Sequence, residues 1–322
     1  MDMSNIFSPI SAELNTVESQ LTQNLDSYVE ILNHASHHLV NAGGKRLRPG
    51  FTLLAGKLYR DCLDEIIPAA VALELIHLAS LVHDDVIDNS DTRRGTETVK
   101  CGWGNRISIY TGNFILARAL ALVAQYERCD IVDVIADASM KICEGEFIQM
   151  QSCYNVNLGL KNFLRRIERK TALLISVSCQ LGAMLCCAPG IETNALQKYG
   201  YYLGMAFQVT DDILDFIADE KVLGKPTGSD IKQGVITLPA LYALKHAPDR
   251  QELADLLSSP ELCNTYADRI IDIILDSDGI DYAYFASRYF AQKAKNQLRY
   301  FPEREVKKAF LDTADFILER DF

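Results

Sequence analysis

The stretch IIPAAVALELIHLASLVHDDVID, residues 66 to 88, constrains the fold more than any other part of this chain. It is too long for an ordinary strand, and Pro68 sits where a first helical turn tolerates it. Its residues are mostly apolar or small, and on every side. A helix of that kind must be covered all round by other helices. Its last turn then changes character and ends in aspartates.

The rest of the chain follows the same period. Apolar residues recur at three- and four-residue spacing from about Pro9 to Leu39, and further helices are expected over about 106–126, 131–153, 160–187, 192–220 and 235–246. NAGGKRLRPG (41–50), NSDTRRGTETVKCGWGN (89–105) and LGKPTGSDIKQG (223–234) break the pattern with glycine, proline and charge. No period-two run bounded by turns is present. The expectation is an all-α chain forming a single domain over residues 1–322.

Composition excludes several classes. A net charge of −11, from 32 basic and 43 acidic residues, disfavours a nucleic-acid-binding surface. Nine cysteines form no C-x-x-C pair and no zinc spacing, so they read as reduced, mostly buried thiols of a cytoplasmic protein. The N-terminus lacks the features of a signal peptide. The greasiest stretch, TALLISVSCQLGAMLCCA (171–188), is interrupted by Ser, Gln and Gly and reads as a core helix, so no integral membrane segment is expected.

Four aspartates crowd SLVHDDVIDNSDTRRG. If the helix continues, Asp84, Asp88 and Asp91 share a stripe, with Asp85 to one side. Like charges at that spacing destabilise a helix, and acid at a helix C-terminus opposes its dipole. A solvated helix end is therefore a poor explanation, and a cation is a better one. The cluster recurs: AFQVTDDILDF places Asp211, Asp212 and Asp215 as D-D-x-x-D after another apolar helix. All-oxygen donors suit Mg²⁺, or Mn²⁺ in its place, and two such clusters facing each other could hold several ions with phosphate oxygens. Asp219 continues the second stripe and reads as surface. The basic residues Lys45, Arg48, Arg93, Arg94, Lys170 and Lys225 lie beside the acidic or glycine-rich breaks. Any one could be ordinary surface charge. The set suits two diphosphates, one held through metals and one directly.

With these motifs in order, the chain resembles the trans-isoprenyl diphosphate synthases. The resemblance runs from GGKRLRP through LIHLASLVHDDVIDNSDTRRG, RKTALLISVSCQLGA and GMAFQVTDDILDF to LGKPTGSDIKQGVITLP, almost the whole chain. WGNRISIYTGNF, CEGEFIQM and ITLPALYALK are most similar to long-chain members, in particular the large catalytic component of the heptaprenyl enzymes. The resemblance implies a single helical bundle of the isoprenoid synthase type around a central cavity. It implies about three Mg²⁺ ions among Asp84, Asp85, Asp88, Asp211, Asp212 and Asp215, with Asp84, Asp88 and Asp211 the foremost ligands. It assigns Arg93, Lys170 and Lys225 to the allylic diphosphate, and Lys45, Arg48, His77 and Arg94 to isopentenyl diphosphate. Thr171 and Gln208 line the cleaving C–O bond. A homodimer, or a heterodimer with a small non-catalytic subunit, is expected on the same ground. Two positions depart from the family: Asn113 stands where Asp is frequent, and Val235 where short-chain relatives carry another lysine.

The implied reaction condenses isopentenyl diphosphate with an allylic diphosphate, farnesyl diphosphate foremost. Small residues before the first motif, Ala79 and Ser80, leave no aromatic floor, with Ile76, Leu75 and Ala72 deeper on the same face. The expected product is a long all-trans polyprenyl diphosphate of about C30 to C45, C35 favoured, such as a quinone side chain requires. Close helix packing by small residues explains the same letters. Three rivals stand beside this reading. A helical phosphohydrolase would use His77 and the His83–Asp84 pair but needs no second D-D-x-x-D. A terpene cyclase mixes Asn, Ser and Glu into its second metal motif. A subunit inactive without its partner keeps every residue named here.

Overall fold

The computed structural model describes residues 3–217 and 228–319. Its helices are α1 Met3–Ile6, α2 Ser11–Asn24, α3 Glu30–Asn41, α4 Leu47–Lys57, α5 Ile67–Ile87, α6 Val99–Val123, α7 Cys129–Ser152 and α8 Leu160–Ile167. They continue as α9 Leu173–Leu185, α10 Gly190–Ile217, α11 Ser229–Lys232, α12 Leu238–His246, α13 Arg250–Leu256 and α14 Pro260–Thr265. The last are α15 Ala267–Leu275, α16 Gly279–Gln297 and α17 Glu305–Leu318. The only strands among the described residues are a two-residue pair, β1 Thr92–Arg93 and β2 Thr96–Glu97. The chain is all-α, as the periodicity predicts.

Backbone contacts divide it into two compact units. The first comprises the described residues of Met1–Ser139, Leu174–Gly200 and Leu298–Thr313, the second those of Met140–Leu173, Tyr201–Gln297 and Ala314–Phe322.

In the first unit α5 is the spine. It packs against α2, α4 and α6, which is why its apolar residues run all round it: Ala69 to Leu75 are buried without interruption. Its N-terminus has no side-chain cap of its own. The Tyr126 hydroxyl serves instead, accepting from the Ala69 amide at 3.0 Å and donating to the Glu65 carbonyl at 2.7 Å. An aromatic cluster closes the core. Phe51 stacks on Phe310, Tyr199 meets Phe310 edge-on, and the Tyr199 hydroxyl donates to the Phe310 carbonyl at 2.6 Å.

The second unit is built on Phe163, Ile167, Val209, Ile213, Ile236, Leu241 and Ile270. Two of its buried hydroxyls meet: Thr210 pairs with Ser287 at 2.8 Å, and Ser287 lies 3.2 Å from the Ala206 carbonyl.

Four expectations change. The pattern over 9–39 is two helices, α2 and α3, separated by Leu25–Val29. The loop 89–105 contains the β1–β2 hairpin and the first turns of α6, which breaks at Gly104 (φ 79°, ψ 165°) before resuming where a helix is expected. The stretch 160–187 is α8, a π-helical turn at Glu168–Ala172, and α9. The cysteines are free thiols, but Cys62, Cys101, Cys129, Cys143 and Cys187 are exposed, because they fall on outward helix faces and loops. Among the described residues α6, not the 171–188 stretch, is the helix long and apolar enough by composition to cross a membrane. It is broken at Gly104 and lies against α5 within the first unit.

Candidate active site

In the first unit the site begins where α5 ends. The Asp88 amide bonds to the Asp84 carbonyl at 2.8 Å and closes the helix. The helix does not reach Asp91, which is exposed and paired with Lys100 at 2.9 Å, so the stripe reduces to Asp84 and Asp88, one turn apart and half-buried. Asp85 points elsewhere. It is buried and accepts from Arg93 Nε at 2.7 Å; burial pushes its carboxyl up despite that partner.

The β1–β2 hairpin makes that contact possible. Arg94 and Gly95 both have positive φ (53° and 76°), the conformation of a two-residue type I′ turn, and Thr92 pairs with Glu97 and Arg93 with Thr96. Arg93 is thereby returned to Asp85, while Arg94 donates to the Gly43 carbonyl. A Cβ at Gly44 would lie 2.6 Å from Arg94 Nη1, so a side chain there would displace that guanidinium.

The basic loop before α4 divides its labour. Lys45 is exposed. Arg46, which no motif distinguishes from its neighbours, has left-handed backbone (φ 47°) and is buried between Glu18, 2.5 Å from its Nε, and Glu74, 3.3 Å from its Nη1. Glu74 is 2% exposed, and its second carboxylate oxygen has no hydrogen-bond partner. The lone glutamate in the apolar run of α5 is the signal that could have marked it. Arg48 Nε is likewise buried without a partner, and burial lowers this guanidinium to about 10 while Glu74 raises it. His77 shows how these groups converge. Its imidazole is held well below its ordinary value by burial and then by Arg48, Arg94, Arg93 and Arg46. A neutral histidine among four guanidiniums is a setting suited in charge to a polyanion.

Of the remaining positions here, Ile76 and Ala79 are buried, and the Ser80 hydroxyl donates to the His77 carbonyl at 2.8 Å. Asn113 is exposed on α6. Its neighbour Gly112 is the tight spot, where a Cβ would meet His83 Nε2 at 2.4 Å.

In the second unit the site is organised by the π-helical turn. The Leu173 amide bonds to the Glu168 carbonyl, five residues back. Such bulges recur at functional sites because they widen the helix and re-aim its side chains. Two glycines let neighbouring helices close on this turn: a Cβ at Gly145 would lie 2.8 Å from Arg169 Cβ, and one at Gly204 would lie 2.4 Å from Ala172 Cα. Lys170 donates to Gln149 Oε1 at 3.0 Å and lies 3.7 Å from Glu146. The Thr171 hydroxyl donates to Gln208 Oε1 at 2.6 Å, and Gln208 Nε2 donates to Asp212 Oδ1 at 2.8 Å. A polar cavity of about 80 Å³ is lined by Gln149, Arg166, Lys170, Gln208, Asp212 and Asp230, among others. Asp212 Oδ2 is buried there without a partner, and burial, then the charge of Asp230, raises this carboxyl to about 8. Asp215 is fully buried and serves the chain itself: it accepts from the Ser229 hydroxyl at 2.8 Å and the Asp230 amide at 3.0 Å. Asp211 is half-buried. Lys225 and Asp219 lie outside the described residues.

Magnesium fits these donors. Asp84 and Asp88 offer carboxylates from one helix turn, and Asp212 has a buried oxygen that lacks a donor or cation. Among the described residues no three acidic, histidine or cysteine side chains converge into a complete cage.

Comparison with known proteins gives one answer. The sequence model of the polyprenyl synthetase family matches residues 29–274. Heptaprenyl diphosphate synthase component 2 of Geobacillus stearothermophilus is 42% identical over 322 residues, all of both chains. The crystal structure of heptaprenyl diphosphate synthase from Staphylococcus aureus superposes with a TM-score of 0.92 at 36% identity, covering 100% of this chain and 99% of that one. A polyprenyl synthase from Caulobacter crescentus, complexed with calcium and isoprenyl diphosphate, gives 0.94 at 33% identity, covering 99% of this chain and 98% of that one.

Proposed function

The chain belongs to the polyprenyl synthetase family and is a prenyltransferase, and from that premise we propose that it extends farnesyl diphosphate with isopentenyl diphosphate to a long all-trans polyprenyl diphosphate, C35 favoured. The observation that carries this reading is that each unit holds its own D-D-x-x-D motif beside its own cations: Arg48, Arg93 and Arg94 in the first, Lys170 in the second. Mg²⁺, when bound, supplies positive charge to the departing diphosphate. Asp84, Asp88, Asp211 and Asp212 would hold it. Asp85 and Asp215, whose carboxylates already accept from Arg93 and from Ser229 and Asp230, act by holding those groups in place.

The protein's own residues do the rest. Lys170, Arg93 and Lys225 bind the allylic diphosphate, while Lys45, Arg48, His77 and Arg94 bind isopentenyl diphosphate. Ionisation of the allylic C–O bond leaves a carbocation, which the isopentenyl double bond attacks; the proton then lost passes to the released diphosphate. The Thr171 hydroxyl, whose hydrogen is committed to Gln208, turns oxygen lone pairs outward and can face that cation. No protein base is required.

The similar Geobacillus protein is named as one component of its enzyme. We accordingly expect this chain to act as a dimer with a small non-catalytic subunit, in the cytoplasm, where its free thiols stay reduced. The purified chain assayed with farnesyl and isopentenyl diphosphates and Mg²⁺, alone and with such a subunit, tests both points. Polyprenyl product from the chain alone excludes an obligatory partner; no product under either condition overturns the reading. Asp84→Ala and Asp211→Ala are each expected to lower turnover by at least about a hundredfold.

A further inference from the structure

Helix α8 turns one of two adjacent arginines outward and one inward: Arg165 is exposed, Arg166 only 3% exposed. The Arg166 guanidinium lies 5.4 Å from the centre of the Phe163 ring, and its Nη2 donates to the Ile236 carbonyl at 2.8 Å. Its Nη1 is buried with no partner, and the side chain lines the polar cavity with Lys170, Gln208 and Asp212.

A buried donor left unmade is costly. Here the same cavity also holds the reverse case, since Asp212 Oδ2 is a buried acceptor without a partner. A plain anion would satisfy Arg166 and leave that Asp212 oxygen without a donor or cation; a bare cation would do the opposite. A ligand that brings a negative oxygen and a divalent cation together satisfies both, and a metal-bound diphosphate is such a ligand. Its charge must be met by the cavity wall. Val235, on that wall, contributes none, which leaves Lys170 and Arg166 as the cations among the described lining residues.

We propose that Arg166 is a further substrate-binding residue, donating from Nη1 to an oxygen of the allylic diphosphate and of the pyrophosphate released from it. The bond to Ile236 fixes the guanidinium plane in advance, so little side-chain freedom is lost when the ligand arrives. The cavity volume, about 80 Å³, is several times what one ordered water needs. The inference rests on the prenyl-transfer reading above, but its test reads binding without turnover.

The probe is inorganic pyrophosphate with Mg²⁺, titrated calorimetrically into the full chain. Arg166→Met is expected to weaken pyrophosphate and raise the KM for farnesyl diphosphate about ten- to a hundredfold, leaving the KM for isopentenyl diphosphate within about twofold. Adding Val235→Lys to that variant returns a cation to the cavity and should recover part of the lost affinity. Should Arg166→Met not fold by circular dichroism, Arg166→Lys keeps the charge and loses the planar fork, and weaker pyrophosphate binding is again expected. Pyrophosphate affinity unchanged in a folded variant overturns the proposal in favour of a water bridging Arg166 and Asp212. An equal loss of affinity for both substrates overturns it in favour of a packing role. The broader reading fails separately, on a wild-type chain that makes no prenyl product even with a partner.

Discussion

His77 illustrates what a single residue carries here. The folded chain resists protonating it, because burial and four arginines oppose a fifth positive charge, whereas the unfolded chain takes up that proton near the ordinary value of 6.5. Stability is therefore full above 6.5 and declines as pH falls below it, since the unfolded state then binds the extra proton. Calorimetric melting between about pH 8 and about pH 5 should show this decline, and His77→Gln should flatten it; an unchanged slope in the variant assigns the effect elsewhere. At this scale the sequence was partly legible. Histidine and arginine stood out by their chemistry. Arg46 did not, because Lys45, Arg46 and Arg48 look alike until backbone handedness and two glutamates, Glu18 and the buried Glu74, separate them.

Elements were legible wherever they repeat and opaque wherever they do so only once. The long helix α5 is visible from its letters alone, down to the proline in its first turn. The β1–β2 hairpin is not, since its turn uses Arg94 in a left-handed conformation that usually falls to Asn or Gly. The π-helical turn is equally hidden, because it adds no residue type that a regular helix lacks. Its neighbours reveal it: Gly204 has no room for a side chain against Ala172, whereas Gly190, at the start of the same helix, faces nothing within 4 Å. Gly204→Val should lower the melting temperature, by about 1–3 kcal/mol of overpacking, and raise the KM for the allylic substrate by displacing Thr171 from Gln208. Gly190→Ala should change neither; equal effects at both positions would remove the case for close packing at the turn.

For the whole molecule, an all-α architecture follows from helical periodicity on both sides of every break, and the two D-D-x-x-D motifs carry the resemblance to the family. The net charge of −11 is set against local arginines, so anionic substrates are drawn by the site and not by the surface as a whole. Product length belongs to this scale too. Ala79 is 2% exposed, so a phenylalanine there must occupy space within the first unit. Ala79→Phe should shorten the polyprenyl product on chromatography while leaving the first condensation intact; unchanged product length would show that the growing chain does not pass this residue. Composition misled on one point. Cysteine is usually buried, yet five of the thiols lie on the surface, where outward helix phase or a loop position and not hydrophobicity decided their place.

The extra residue in the π-helical turn also makes this stretch sensitive to length more than to spelling. Each residue advances a helix by about 100°. Losing any one position between Glu168 and Ala172 would close an ordinary ladder through the turn, keeping the flanking helices in phase but re-aiming by about that angle the side chains within it. Lys170 and Thr171 could not then both keep Gln149 and Gln208 as partners. Point changes at Glu168 or Arg169 leave that phase alone. In genetic terms the segment should accept missense variation far more readily than an in-frame deletion of a single codon, although it lies within a helix and carries no glycine or proline of its own.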